Sequence, residues 1–204
     1  GELDAARLRE REALLAVDDA VERIVAAVRA RGDLERTVIF FLTDNGLSFG
    51  AHGWTAKSCP YVECVRTPFA VYAPAIRAGA DPALVSNVDL APTIAGLAGL
   101  PPAPADGLDL SPLLEGTGAS PVRGAVLTEY HGGGGVPAWE GVRTTDFAYI
   151  RTGTFQELYD LTGARGAPDP FEMDDRMDDP AYRDVRTWLA RLTTSLTSAD
   201  PGDG

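Results

Sequence analysis

The residues best suited to chemistry follow a short apolar run near residue 40. Residues 38–42 predict a buried strand, apolar on both faces, and the run stops at Asp44 and Asn45. Both side chains offer hard oxygen atoms, which suit Ca²⁺ or Mg²⁺. A cation held there could neutralise an oxyanion, and Lys57 could add a second positive charge to the same anion. The alternative is an ordinary turn, because Asp, Asn and Gly are all common turn residues.

A strand that ends in a site is typical of open α/β sheets, in which ligands bind beyond the carboxyl ends of the strands. Apolar residues at helical spacing predict a helix over residues 3–31, and this helix should pack on the sheet. Residues 68–74 predict a second short strand with proline at both ends. Residues 89–97 predict a short helix with Pro92 in its first turn.

The second half of the chain has a different pattern. Residues 100–122 are rich in Pro, Gly and Ser, and they predict a surface linker. Short strands separated by turn residues follow, which indicates a small antiparallel sheet. A last helix over residues 181–196 should place Val185, Trp188, Leu189 and Leu192 on one face. The acidic residues between 169 and 179 predict a solvated loop. The four predicted strands are residues 125–130, 139–143, 147–151 and 155–161.

Several blocks of sequence resemble, in order, the second half of a type I sulfatase of the alkaline-phosphatase-like superfamily. The most distinctive block is the strand with its Asp-Asn pair and Gly-x-His…Lys loop, and the Glu-Leu-Tyr-Asp-Leu tail is similar to the branch of N-acetylglucosamine-6-sulfatases and arylsulfatases. The resemblance implies an α/β fold. Residues 1–120 would form part of an alkaline-phosphatase-like sandwich, and residues 121–204 a small α+β subdomain with an antiparallel sheet and a terminal helix. The blocks are residues 15–25, 37–57, 61–74, 88–99, 106–116, 156–161 and 169–172.

The resemblance also implies roles for single residues. Asp44 and Asn45 would be metal ligands, with Ca²⁺ expected and Mg²⁺ as the alternative. Lys57 would bind the sulfate and assist the leaving oxygen, while His52 would either donate to a sulfate oxygen or brace the loop. His131, before a run of four glycines, is expected at the rim of the substrate pocket.

The family's nucleophile has no match in this sequence. Type I sulfatases use a formylglycine made from a Cys, or sometimes a Ser, in Cys-x-Pro-Ser-Arg or a similar motif, and neither Cys59 nor Cys64 has such a context. We therefore expect formylglycine in an N-terminal part that precedes these residues, with this chain supplying half of the metal and sulfate site. Without its nucleophile the chain alone should be inactive. The two cysteines are compatible with a disulfide or with free thiols.

Composition restricts the partners. The net charge of −12 argues against nucleic acid, and no apolar stretch of about 18 residues predicts a membrane span. The predicted function is hydrolysis of an aryl or carbohydrate sulfate ester by the intact protein. A related phosphoester or phosphonate-ester hydrolase and an inactive sulfatase-like fragment are the alternatives. The sequence leaves the substrate, the oligomeric state and the compartment, bacterial cytoplasmic or exported, open.

Overall fold

The elements of the fold follow one another along residues 1–76, 78–101, 105–117 and 123–198, which are the residues that the computed structural model describes. The first half contains four α-helices and four short strands. In chain order they are α1 (Glu2–Ala30), β1 (Ile39–Leu42), β2 (Ser48–Phe49), β3 (Thr55–Ala56), α2 (Val62–Val65), β4 (Phe69–Tyr72), α3 (Leu90–Leu97) and α4 (Ser111–Leu114). The second half contains β5 (Val126–Tyr130), β6 (Trp139–Arg143), β7 (Phe147–Thr152), β8 (Phe155–Asp160) and α5 (Arg183–Ser198).

Helix α1 forms where the apolar spacing predicts it, but it does not bury its stripe. None of its residues is buried, and the side chains of Leu14, Val17, Val21 and Ile24 are exposed. The expectation that this helix packs on the sheet is therefore wrong for the described part of the chain. Spacing shows which residues share a face, whereas burial also needs a partner surface.

Strands β1 and β4 pair antiparallel, from Ile39 opposite Tyr72 to Leu42 opposite Phe69. No residue of β1 is buried, and Phe41 is 41% exposed. The expectation of a strand buried on both faces is wrong in this respect, because within the described residues each strand of this sheet pairs along one edge only. The predicted bounds of both strands are confirmed to within a residue or two.

Part of the predicted linker is ordered around α3. Asp89 is fully buried, and its carboxylate accepts from the backbone N–H groups of Ser86 and Leu108, at 2.8 and 2.7 Å. Two further bonds come from the guanidinium of Arg123, at 2.8 and 2.6 Å. Helix α4 lies inside the predicted linker, and Leu110 and Leu114 are buried, so the prediction of a surface linker over residues 100–122 is wrong for this described part. Residues 102–104 and 118–122 lie outside the described residues.

The second half forms one antiparallel sheet with the order β5-β6-β7-β8, so the four predicted strands are confirmed. Helix α5 covers one face of this sheet, and Val185 and Leu189 pack against Val142, Tyr149 and Leu158. The side chain of Trp188, which the spacing groups with Val185 and Leu189, is 48% exposed, whereas Val185, Leu189 and Thr193 are buried.

A domain boundary near residue 120 stays a prediction, since residues 118–122 are not described. No helix in the described ranges combines the length and the apolar character needed to cross a membrane.

Candidate metal and anion site

Asp44 and Asn45 follow β1 directly, as the sequence predicts. Asp44 is exposed, and its Oδ1 accepts from the backbone N–H of Asn45 at 2.9 Å and from the hydroxyl of Thr43 at 3.2 Å. The amide nitrogen of Asn45 donates to the carbonyl of Gly46 at 2.8 Å. That bond turns the amide so that its oxygen is the atom left for a ligand. The pair thus presents carboxylate and amide oxygens at the end of a strand.

Gly46 fixes this pair against α2. Its N–H donates to the carbonyl of Cys64 at 2.8 Å, and a Cβ at this position would lie only 2.0 Å from the carbonyl oxygen of Glu63. No other residue type fits so close to a neighbouring backbone. The sequence alone gives no sign of this close approach, which needs glycine for its lack of a side chain.

Lys57 follows the small hairpin of β2 and β3 and is exposed. Its two neighbours, Ala56 and Ser58, have φ of 72° and 77°, and His52 has φ of 52°. Residues other than glycine avoid this left-handed region, at a cost of about 1–3 kcal/mol each. The fourth such residue in the described part of the chain, Glu172 with φ of 59°, contacts the same region, as described below. Such strain clusters at functional sites.

The ring of His52 is held from two sides. It stacks on Tyr61, with ring centroids 3.8 Å apart and planes at 9°. Its Nε2 lies 3.1 Å from the carbonyl oxygen of Phe171 and 3.7 Å from Oε2 of Glu63. These contacts hold the imidazole ring of His52 in one orientation. Among the described residues, the basic side chain within 4 Å of the Glu63 carboxylate is that of His52, and Arg66 does not pair with it.

Cys59 and Cys64 form a disulfide, with Cα atoms 5.6 Å apart, which resolves the alternatives that the sequence left open. Both half-cystines are buried. The Sγ of Cys64 lies 3.7 Å from the carbonyl oxygen of Ala56. The disulfide therefore ties the segment after Lys57 to α2, the helix that carries Glu63.

Glu172 joins the second half of the chain to α2. Its carboxylate is fully buried, pairs with Arg143 of β6, and accepts from the backbone N–H of Val62 at 2.7 Å. Burial raises the pKa of the Glu172 carboxyl, and the charge of Arg143 and the Val62 N–H oppose that rise. The expectation that the whole acidic run 169–179 is solvated is wrong for Glu172. The signal that could have found it is the match of residues 169–172 to a family block.

Glu157 of β8 supports Tyr61 from below. The hydroxyls of Tyr61 and Tyr159 both donate to Glu157 Oε1, at 3.0 and 2.7 Å. Burial first, and then the charge of Glu157 and its hydrogen bond, raise the pKa of both tyrosines well above their usual range. Both hydroxyls therefore stay neutral donors, and the ring on which His52 stacks has a fixed orientation.

His131 lies away from these contacts. Its side chain is 90% exposed, and its Nε2 is 3.8 Å from Glu129. The preceding Tyr130 stacks on Trp139 at 6.4 Å, and the indole N–H of Trp139 donates to the carbonyl of Ser58 at 2.9 Å. The start of β6 thus reaches the residue after Lys57, while the role of His131 stays a prediction.

The donor set suits a hard divalent cation in part. Asp44 and Asn45 supply two side-chain oxygen ligands, whereas Ca²⁺ takes about 6–8 oxygens and Mg²⁺ about six. Over the ranges that the structure describes, no group of three or more His, Cys, Asp or Glu side chains gathers as a metal site would require. The residues present fit one side of a cation site.

Comparison with known proteins shows similarity to sulfatases. The family model described as "Sulfatase" matches residues 9–100. Among curated proteins, an N-acetylglucosamine-6-O-sulfatase of Bacteroides thetaiotaomicron is 40% identical over 88 residues, which are 42% of this chain and 16% of that protein. The chain therefore spans about a sixth of that relative's length.

Two solved structures extend the similarity to most of the chain. A protein solved "in complex with its substrate D-Glucosamine-2-N, 6-O-disulfate" is 31% identical, with a TM-score of 0.78, over 93% of this chain and 40% of that one. A phosphonate monoester hydrolase of Agrobacterium radiobacter is 25% identical, with a TM-score of 0.72, over 89% of this chain and 39% of that one. The family model, the sequence relative and the shared fold agree: residues 9–100 match the sulfatase family, and the chain has part of the alkaline-phosphatase-like fold of its sulfatase neighbours.

Proposed function

We propose that the intact protein hydrolyses sulfate esters and that this chain supplies one side of its metal and sulfate site. The observation that carries the proposal is the Asp44-Asn45 pair at the end of β1, followed by the strained loop that presents Lys57. These features provide oxygen ligands for a cation and a positive charge for an anion within 14 consecutive residues. The similarity of the chain to sulfatases supports the proposal.

Asp44 and Asn45 would hold the cation, for which Ca²⁺ is the first candidate and Mg²⁺ the second. A bound divalent cation supplies charge stabilisation at the sulfate oxygens. Lys57 would bind the same sulfate group and offer a proton to the leaving oxygen. His52, held by Tyr61 and Phe171, would keep the loop in place and bring its imidazole close to the bound sulfate.

We infer that the nucleophile comes from outside these 204 residues, because the family's nucleophile motif has no match in this sequence. Both cysteines are joined in a disulfide, so neither is free for conversion to formylglycine. Formylglycine in another part of the polypeptide would supply the attacking oxygen. We propose that this second part of the protein also completes the coordination of the cation.

The proposed substrate class is a carbohydrate sulfate ester. The curated relative is an N-acetylglucosamine-6-O-sulfatase, and the solved relative was captured with a disulfated glucosamine. Both are similar to this chain over only part of their own length. An exposed His131 beside the glycine run would contact the substrate at the pocket rim. An aryl sulfate is the simpler substrate that the same chemistry would accept.

A second candidate is hydrolysis of phosphonate or phosphate esters. The observation that favours it is the similarity of the fold to a phosphonate monoester hydrolase, at 25% identity. A cation and a lysine stabilise a tetrahedral phosphorus group as well as a sulfate. The two candidates differ in the atom that is attacked, sulfur in a sulfate ester and phosphorus in a phosphonate or phosphate ester.

The test uses the full-length protein, co-expressed with a formylglycine-generating enzyme and assayed with Ca²⁺. The substrates are an aryl sulfate, N-acetylglucosamine-6-sulfate and a phosphonate monoester. We expect Asp44→Ala to lower kcat/KM for the sulfate esters by about 100-fold or more, because a lost ligand weakens the charge stabilisation that the cation supplies. Asp18→Ala, at an exposed position on α1, is the matched control and should leave the rate unchanged.

Hydrolysis of the phosphonate ester alone would favour the second candidate. A full-length protein that cleaves none of the three substrates and binds no Ca²⁺ would refute both candidates and favour an inactive sulfatase-like protein.

A further inference from the structure

The outer face of α5 carries a group of arginines and an exposed aromatic ring. Arg183, Thr187 and Arg191 follow at intervals of four residues, so they share one face of the helix. Arg186 and Trp188 flank this row. We call Arg151, Arg183, Arg186, Trp188 and Arg191 the arginine surface of α5.

Three of its arginines have no acidic partner. In the described part of the chain, no carboxylate lies within 4 Å of the guanidinium of Arg183, Arg186 or Arg191. The nearest acid along the helix is Asp184, and both of its oxygens are already bonded to Arg165, at 3.0 and 2.6 Å. The charges of the three arginines are therefore available to a ligand.

Two neighbouring depressions bring these groups together. One lies between α5 and the sheet and is lined by Arg151, Gln156, Arg186, Arg191 and others. The second is lined by Arg183, Asp184, Thr187, Trp188 and Arg191. Thr187 and Arg191 line both, so the two depressions form one continuous surface along the helix.

The first depression has a polar floor. The hydroxyl of Tyr149 donates to the side-chain oxygen of Gln156 at 2.9 Å. Burial raises the pKa of Tyr149, and the charges of Arg151 and Arg186 oppose that rise. The depression is lined by all three of these residues, Tyr149, Arg151 and Arg186.

The charge of this surface is opposite to that of the whole chain. Helix α5 contains three arginines and one aspartate, which gives +2, whereas the full sequence carries −12. An acidic protein repels polyanions in general, so any attraction of a polyanion has to come from a local cationic surface. Guanidinium groups match the geometry of sulfate and carboxylate oxygens, and an exposed indole offers a flat apolar face to a sugar ring.

We propose that the arginine surface of α5 binds a sulfated polysaccharide. None of the candidate residues Asp44, Asn45, His52 and Lys57 lines either depression. The surface would hold one stretch of a long sulfated chain while another stretch is processed elsewhere on the protein. Processing of the held chain rests on the proposed function, and it implies that a polymer is a better substrate than a single sulfated sugar.

The test measures binding and turnover separately on the full-length protein. Dextran sulfate and uncharged dextran are the binding probes. Their binding is measured by surface plasmon resonance at low and at physiological salt. The test variant is Arg183→Gln with Arg191→Gln, which leaves Arg186 in place because its guanidinium also donates to the carbonyl of Met177. We expect its affinity for dextran sulfate to fall about tenfold, because two charge-assisted contacts are lost.

The matched control is Arg9→Gln with Arg11→Gln, at two exposed positions of α1, which changes the net charge equally. The control should keep its affinity. For turnover, we expect the test variant to raise KM for a polymeric sulfate ester and to leave kcat/KM for a small aryl sulfate unchanged. Trp188→Ala should weaken dextran sulfate binding more than inorganic polyphosphate binding.

Two outcomes would overturn the proposal. The first is an equal loss of affinity in the control and the test variant, which would mean that only net charge matters. The second is binding of polyphosphate or of a nucleic acid as tight as that of dextran sulfate, and indifferent to Trp188→Ala. A protein that binds dextran sulfate through this surface but cleaves no sulfate ester would refute the proposed function and leave the binding site standing.

Discussion

Glu172 combines three features that rarely occur together in one residue. Its side chain is ionisable and fully buried, and its backbone lies in the left-handed region, with φ of 59°. Its carboxylate reaches Arg143 of the sheet and the first N–H group of α2. Because α2 carries Glu63, which faces His52, the residue connects the second half of the chain to the candidate site. We infer that Glu172 is a positioning residue for the loop of His52 and Lys57.

Replacing Glu172 should therefore be costly. We expect Glu172→Gln in the full-length protein to lower the free energy of unfolding by about 3 kcal/mol or more, because it leaves Arg143 with an uncompensated charge. Denaturant unfolding measures the change. Asp178→Asn lies in the same acidic run at an exposed position, and we expect it to change stability by less than about 0.5 kcal/mol. Equal changes in the free energy of unfolding for the two variants would contradict a stabilising buried pair between Glu172 and Arg143.

The segment between Lys57 and α2 shows how short elements are held without a large core. The disulfide closes a loop of a few residues, and Gly46 packs its backbone against the same helix. Trp139 adds a hydrogen bond from the sheet to Ser58. Three different links therefore converge on α2, which is a single turn of helix, and on the residues just before it.

Removing the disulfide tests how far the loop depends on it. We expect Cys59→Ser with Cys64→Ser to lower the free energy of unfolding by about 2 kcal/mol, the entropic value for a short closed loop. The activity of the full-length protein towards an aryl sulfate should also fall, because the segment that follows Lys57 is no longer tied to α2. Wild-type protein treated with a reductant after mild unfolding should behave like the variant. Unchanged stability in both would show that Gly46 and Trp139 suffice.

The turn after β8 predicts a dependence of stability on acid. Burial would raise the pKa of Asp160, but hydrogen bonds from the N–H groups of Ala164 and Arg165 and from the hydroxyl of Tyr182 hold it below its usual range. A carboxyl with a lowered folded pKa stabilises the fold above its unfolded pKa of about 3.9, and this stability is lost as pH falls through the folded value.

We therefore expect Asp160→Asn to be less stable than wild type at pH 7 and to lose less further stability between about pH 4 and pH 2. Thermal unfolding across this range measures both. If the stability of the two proteins falls in parallel as the pH is lowered, Asp160 does not determine the loss of stability in acid. Asp178→Asn again serves as the control, with a curve parallel to that of wild type.

The sequence predicted the elements better than their surroundings. The four strands of the sheet could be read because apolar alternation and turn residues are local signals, and Asp44 and Asn45 could be placed because they end an apolar run. Burial of Glu172 could not be read, because its partners Arg143 and Val62 lie 29 and 110 residues away in sequence. For the same reason the spacing within α1 did not reveal that its stripe is exposed.

At the scale of the whole molecule, the two halves of the chain differ in how much apolar surface they bury. The second half has a continuous core between its sheet and α5. The first half has a two-stranded ladder, small helices and a long helix with an exposed apolar stripe. Such a distribution leaves a large apolar area in water around α1 and β1, and exposed apolar patches of this kind mark contact surfaces or sites of aggregation.

This 204-residue chain by itself should therefore associate. We expect it to bind a hydrophobic dye and to form oligomers as its concentration rises, because contact between chains removes the exposed side chains of α1 from water. Val21→Glu with Ile24→Glu places two charges in the exposed stripe and should lower both dye binding and oligomer mass, measured by light scattering. Asp18→Glu with Asp19→Glu, on the same helix, is the control and should change neither. A wild-type chain that stays monomeric, unfolds cooperatively and binds no dye would show that the stripe of α1 is tolerated in water without a partner surface.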